Sequence, residues 1–344
     1  MTEKSYGGNN GIREHVGGNT GKVKDSSKIN ITDKKSKKPT TKISTSDNSS
    51  LDELDSYKKA GEIAKEVVAY AKDLIKPDML LVEIAKKIDA KIESLGGGIA
   101  FPVNLSIDDI AAHYHPTLED QTKAYGLLKV DIGIHVNGFI ADTAFSLDLT
   151  SDKKYKDLIK ASEDALEAAL SILEKNPTIN DIGEAIQVSI QKKGFSPVVN
   201  LSGHELGPYT VHAGITIPNH ANASPHKIES GAYAIEPFAT TGEGKIYEGA
   251  PSNIYQIITP KNTRGETARK ILEYVWEKYE TLPFSLREIQ EKFGGMSRLA
   301  IKELEQNKII HSYPQLIEVS HKPVSQAEHT FVKTPDGKII VTTK

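Results

Sequence analysis

Apolar residues recur at helical spacing in several stretches of this chain and alternate or run together between them. The first helical stretch carries Leu51, Leu54, Tyr57, Ile63, Val67, Ala71 and Leu74 and stops at Pro77, which cannot continue a helix. Ser50 and Glu53 have the spacing of a capping box and predict its start. A second helix is predicted over about Met79 to Ser94, with Ile84, Ile88 and Ile92 on one face and Gly96 past its end. After a long amphipathic helix over about Asp152 to Lys175, the same ladder returns 98 residues on as Ile182, Ile186, Ile190 and Gly194. A repeated ladder and stop predicts two similar α/β halves with a cleft between them.

Between the helices, Lys129–Ser146 reads as two short, mostly apolar strands joined at Asn137-Gly138. Asn-Gly tolerates the positive φ of a type I′ turn, so a hairpin is predicted. A two-residue loop sets Asp142 opposite Gly133, and strand alternation puts Asp131 on the same face as Gly133. Asp131 and Asp142 are then diagonal neighbours, roughly 7–8 Å apart at the backbone, and Gly133 leaves the point between them open. Two carboxylates aimed together repel unless a proton or a cation sits between them. Exposure on a solvated sheet face is the plain alternative. The flanking Val130, Ile132, Ile134, Ile140 and Phe145 favour a buried hairpin and a metal site, and such a site requires further ligands elsewhere.

Candidates for those ligands follow in order. His113 and His115 lie in a turn-rich loop before the hairpin, where a lone histidine is usually structural. His204 and His212 share parity if Asn200–Gly214 is extended, and Gly203 and Gly214 mark bends or close packing. Gly231–Thr240 reads as an apolar strand with one acid, Glu236, locked by Pro237, and Val324–Val332 repeats the pattern with Glu328. A carboxylate buried in a strand is costly unless it is paired or metal-bound.

Composition narrows the chemistry. The 344 residues are 38% hydrophobic and 26% charged, the profile of a globular protein with ample core. The absence of cysteine removes disulfides, thiolate sites and cysteine nucleophiles, so any metal is held by oxygen and imidazole. With no long apolar run and no apolar leader, a cytoplasmic protein that spans no membrane is expected. The first 50 residues are Gly, Asn, Ser, Thr and Lys with almost no large apolar side chain; they carry +5 and leave −8 for the rest. A disordered basic tail is expected there, either solubilising or in contact with RNA or a ribosome.

With these pieces in order, FPVNLSIDDIAAHY, KVDIGIHVNGFIADTA, LSGHELGPYTVHAG, AIEPFAT and SQAEHT together resemble the motifs of type 2 methionine aminopeptidases, in the archaeal and eukaryotic style. The resemblance spans residues 51–344. It implies an α/β (α+β) pita-bread fold, two pseudo-symmetric halves around a dinuclear metal centre. It implies Asp131 on one metal, Asp142 and Glu328 bridging both, and His204 and Glu236 as terminal ligands. Four carboxylates and one imidazole suit two divalent ions such as Co, Mn, Fe or Zn, whose charges cancel those of the acids. Between such ions the pKa of water falls from 15.7 towards about 7, and the hydroxide attacks the first peptide bond. The implied activity removes the initiator methionine from nascent polypeptides whose second residue is small. Glu236 passes the proton to the leaving amine, while His113 and His212 hydrogen-bond the substrate and stabilise the tetrahedral intermediate. Phe101, Ile254, Tyr255 and Tyr313 are expected to line the methionine pocket. His115, where the family more usually has a small hydroxyl residue, is expected to be a neighbour rather than a ligand. His135 is expected at the rim or in a structural role, and His329 on the face opposite Glu328.

Thr263 to Leu316 is expected to form a winged-helix-like insertion: a helix over Ala268 to Tyr279, a second capped at Ser285–Glu288, a third over Ser297 to Gln306, and a strand from Ile309. Its nine Lys/Arg and eight Asp/Glu are a poor nucleic-acid footprint, so a wall of the active site is expected instead. Two other readings compete with the monomeric aminopeptidase. Xaa-Pro peptidases of the same fold usually carry a folded N-terminal domain, and metal-free ribosome-binding relatives lose the ligands that this chain keeps.

Overall fold

The computed structural model describes residues 48–259 and 261–344. Residues 1–47, most of the expected basic tail and the seat of its expected ribosome contact, lie outside them. Residues 48–50 already belong to the first described helix, α1 (Asn48–Leu74), so the start expected at Ser50 lies within the helix. Ala60, Ala64, Val67 and Ala71 are fully buried on one face, where small side chains let α1 lie close on the hairpin sheet. After α2 (Leu81–Ser94) come β1 (Gly98–Ile107), β2 (Ile110–Ala112), β3 (Leu127–Val136) and β4 (Phe139–Asp148). Strands β1, β3 and β4 form one antiparallel sheet.

The second half opens with α3 (Lys156–Ile172), which tightens into a 3₁₀ turn over Leu173–Lys175, and α4 (Ile179–Lys192). The 98-residue echo holds in three dimensions. Both α2 and α4 have 14 residues. Each starts one residue after an isolated antiparallel bridge, Leu80 with Lys123 and Thr178 with Lys227. Each is followed by a left-handed glycine, Gly96 at φ 78° and Gly194 at φ 82°. The chain continues through β5 (Ser196–Pro197), β6 (Ser202–Leu206), β7 (Thr216–Pro218), β8 (Gly231–Ile235), β9 (Phe238–Thr240) and β10 (Ile246–Ile257).

The stretch expected to be an insertion gives α5 (Glu266–Tyr279), β11 (Phe284–Ser285), α6 (Leu286–Phe293), α7 (Ser297–Gln306) and β12 (Ile310–Glu318). Ser285 Oγ accepts from the Glu288 amide at 3.1 Å, the cap expected from the sequence. Strand β12 is longer than the Ile309-Ile310 pair suggests and runs antiparallel to β10. Trp276 stands half-exposed on α5. The chain closes with β13 (Val324–Gln326), β14 (His329–Lys333) and β15 (Ile339–Val341). Two large apolar cores result, one under α1, α2, the hairpin and the insertion helices, the other under α3, α4, β8 and β14. Among the described residues no helix is long and apolar enough to cross a membrane.

Both acid-bearing strands are interrupted. Glu236-Pro237 separates β8 from β9, and Ala327-Glu328 separates β13 from β14, with the paired members in different sheets. The acids thus sit at the seams between sheets, where a side chain can turn into the space between the halves. The single continuous strands expected around Glu236 and Glu328 are corrected accordingly.

Candidate metal centre

The hairpin has the predicted register. Gly133 pairs with Asp142 and Asp131 with Ala144, around a turn with Asn137 at φ 53° and Gly138 at φ 87°. One detail differs from expectation. The space above Gly133 is filled by the Phe101 ring, with which a methyl group at 133 would collide. Strand β14 is tied to the hairpin by Thr330, whose hydroxyl accepts from the Asp142 amide and donates to the Asp142 carbonyl, both at 2.8 Å. Thr143 Oγ1 donates to the Glu328 carbonyl at 2.9 Å, and the Glu328 amide to the Ala144 carbonyl at 3.0 Å. These bonds bring Glu328 alongside Asp142.

His204 enters from β6. Gly203 beside it allows β6 to approach β8, because a methyl group there would collide with the Ala234 carbonyl. His204 Nε2 stands 3.7 Å from Asp142 Oδ2 and 3.9 Å from Glu236 Oε1. Donor atoms of Asp142, His204 and Glu328 lie within 4.8 Å of one another. His212 is not on an extension of β6, since the chain first turns through a Gly207–Thr210 bridge. Its ring nevertheless returns to 4.5 Å from that of His204.

One cavity of about 370 Å³ joins these groups. Asp131, Asp142, His204, Glu236 and Glu328 line it, together with His113 and His212. Phe101, Ile254 and Tyr313 are also in its wall, but Tyr255 is not. Neighbours on a strand face opposite ways. Ile254 points into the cavity, so Tyr255 packs in the core with its ring 6.0 Å from that of Phe284. His135 packs under Gly98 and against Tyr209 near the hairpin tip. His329 turns away and pairs with Thr343 Oγ1 at 2.9 Å. His115 is buried outside the cavity.

Two residues beside the acids went unassigned in the sequence. Asn104 lines the wall and pairs with Asp131 in register. Gln326 donates to Glu236 Oε2 at 3.4 Å, and its position two residues before Glu328 is the signal that could have found it.

The electrostatics are those of an acid cluster lacking counter-charge. Burial raises Asp131 to about 7. Burial first, then charge repulsion within the cluster, raises Asp142, Glu236 and Glu328 well above the usual carboxylate range. Burial and the neighbouring His212 lower His204 to about 3, which keeps its ring neutral. Asp131 Oδ1, Asp142 Oδ1 and Glu328 Oε2 are buried with no hydrogen-bond partner among the described residues. Buried carboxylate oxygens without donors are costly unless a cation receives them. A hard oxygen and imidazole set with such atoms to spare fits divalent ions.

The model of metallopeptidase family M24 matches residues 55–257. The chain belongs to that family. Its relatives include a methionine aminopeptidase of Pyrococcus abyssi, 42% identical over 298 residues, covering 84% of this chain and 99% of the relative. Among solved structures, a thermophilic Arx1 superposes with a TM-score of 0.71 at 17% identity, over 85% of this chain and 91% of that one. A methionine aminopeptidase from Thermotoga maritima gives 0.60 at 17% identity, over 85% and 97%. These likenesses bear on the fold, which is the mixed α/β pita-bread fold of M24 proteins. As an M24 metallopeptidase, the chain is a metal-dependent hydrolase.

Proposed function

We propose that this M24 protein is a methionine aminopeptidase of type 2, releasing the first residue of polypeptides that begin with methionine and continue with a small residue. The observation that carries the reading is the convergence of Asp131, Asp142, His204, Glu236 and Glu328 with two histidines on one partly apolar cavity. The insertion after β10 and the Pyrococcus abyssi relative support the type 2 assignment.

The five residues would hold two divalent ions, which neutralise the acids and lower the pKa of a water molecule towards neutrality. The chain supplies the rest. His113 Nδ1 lies 3.2 Å from the Pro314 carbonyl, which only accepts, so Nδ1 carries the proton. Burial and His212 push His113 down to about 4. The neutral ring then offers Nε2 as an acceptor, suited to a substrate N–H. Support of a developing oxyanion falls to His212, refining the shared role expected from the sequence. Glu236 keeps 15% of its side chain exposed and can pass a proton between the cavity and the departing amine. Phe101, Ile254 and Tyr313 offer an apolar wall for an unbranched thioether side chain.

The test is hydrolysis of a Met-Ala peptide beside an Xaa-Pro peptide, with Co, Mn, Fe or Zn added to stripped protein. Metal-dependent methionine release without Xaa-Pro cleavage is expected. Preferential Xaa-Pro cleavage would replace this reading with a prolyl-bond peptidase of the same fold.

A further inference from the structure

His113 has a left-handed backbone, φ 64°, a region that residues with side chains occupy only when their surroundings impose it. The insertion supplies that constraint from two sides. Strand β12 provides the Pro314 carbonyl for His113 Nδ1, and the Tyr313 ring stands edge-on, 5.6 Å away. Two residues along, buried His115 donates from Nδ1 to the Val103 carbonyl at 2.8 Å and accepts at Nε2 from Arg287 Nε at 3.3 Å. The His115 carbonyl accepts from Asn253 Nδ2 at 3.2 Å. Arg287, on α6, is itself buried. It is held by the Asp89 carboxylate of α2 and by Glu291 Oε2 at 3.4 Å.

The donors and acceptors in this chain match in only one way. A carbonyl accepts and a guanidinium donates, so the His115 ring is the neutral tautomer protonated at Nδ1. Asp89 fixes Arg287, Arg287 fixes the ring, and the ring fixes the turn that presents His113. Neither His115 nor Arg287 lines the cavity.

We propose that Arg287 and His115 are positioning residues, a buried brace through which the insertion sets the His113 imidazole. The insertion is then part of the catalytic apparatus as well as a wall of the cavity. The role given to His113 rests on the functional reading above.

The experiment compares R287M and H115F in the full chain and again in an H113A background. A positioning error of this kind lowers kcat/KM for the Met-Ala peptide by about tenfold to hundredfold. In the H113A background the same changes cost no more than about twofold, because His113 is no longer there to misplace. Bound metal per chain stays equal throughout. Removing Arg287 leaves Asp89 unpaired and can unfold the protein, so H115F, which keeps the Arg287–Asp89 pair, is the deciding variant. The His113 imidazole ¹⁵N signals, assigned by their loss in H113A, move in H115F. Losses that multiply with H113A, wild-type rates in H115F, or unmoved His113 signals would overturn the brace. If the wild-type chain releases no methionine, the functional reading fails by itself and the imidazole signals still decide the brace.

Discussion

At Glu236 a carboxylate sits at a seam between sheets, within 3.9 Å of His204 and bonded by Gln326. Glu236→Gln keeps the size and removes the basic oxygen. We expect turnover of the Met-Ala peptide to fall by about 10²–10⁴-fold, with the melting temperature of stripped protein unchanged or higher. Wild-type initial rates in that variant would remove the proton-passing role. The acid cluster also predicts a pH dependence. Raised carboxylates hold protons in the folded chain that the unfolded chain has already released. The metal-free fold therefore has its full stability below the unfolded carboxylate range, about pH 4, and loses it as pH climbs through the folded values, about 7 for Asp131. With a chelator present, the melting temperature should fall between about pH 5 and pH 8. Added Mn or Co should restore more at the upper pH than at the lower. A stripped protein that is as stable at pH 8 as at pH 5 would mean that the acids find other partners.

Among the elements, the hairpin was the most legible, because Asn137-Gly138 between two apolar strands fixes both turn and register. Register then fixes the face of Asp131 and Asp142. The interruptions at Glu236 and Glu328 were not legible. Period-2 patterning tells which face a residue takes, but not the sheet in which the next residue pairs. Tyr255 was misplaced for a reason the sequence did contain, since alternation forbids adjacent residues from sharing one wall. The brace was beyond reach, because Arg287 and His115 lie 172 residues apart and their pairing depends on tertiary packing. Close packing of β6 on β8 gives a further test. Gly203→Ala should destabilise the fold by about 1–3 kcal/mol, since the methyl group meets the Ala234 carbonyl rather than a movable side chain. A denaturant midpoint equal to that of the wild type would show that the two strands can part to admit it.

At the scale of the whole molecule, two halves repeat a helix, a bridge and a glycine stop, and among the described residues the cavity wall is drawn from Phe101 to Glu328. With the seven acid and histidine groups of the site all supplied from that wall, removing residues 1–47 is expected to leave peptide turnover at the full-length rate. A marked loss would mean that the tail reaches the cleft. The insertion touches both histidine loops: Arg287 and Pro314 on the His113 side, and Thr281, which donates to the Tyr209 carbonyl at 2.5 Å, on the His212 side.

Trp276 is the chain's single tryptophan, and it stands half-exposed on α5 of the insertion. Excitation of indole alone thus reads the insertion, whereas far-ultraviolet circular dichroism reads every helix and sheet. An emission change that precedes the dichroic transition on heating would show the insertion loosening before the two halves part. Coincident transitions would show it melting with them as one cooperative unit.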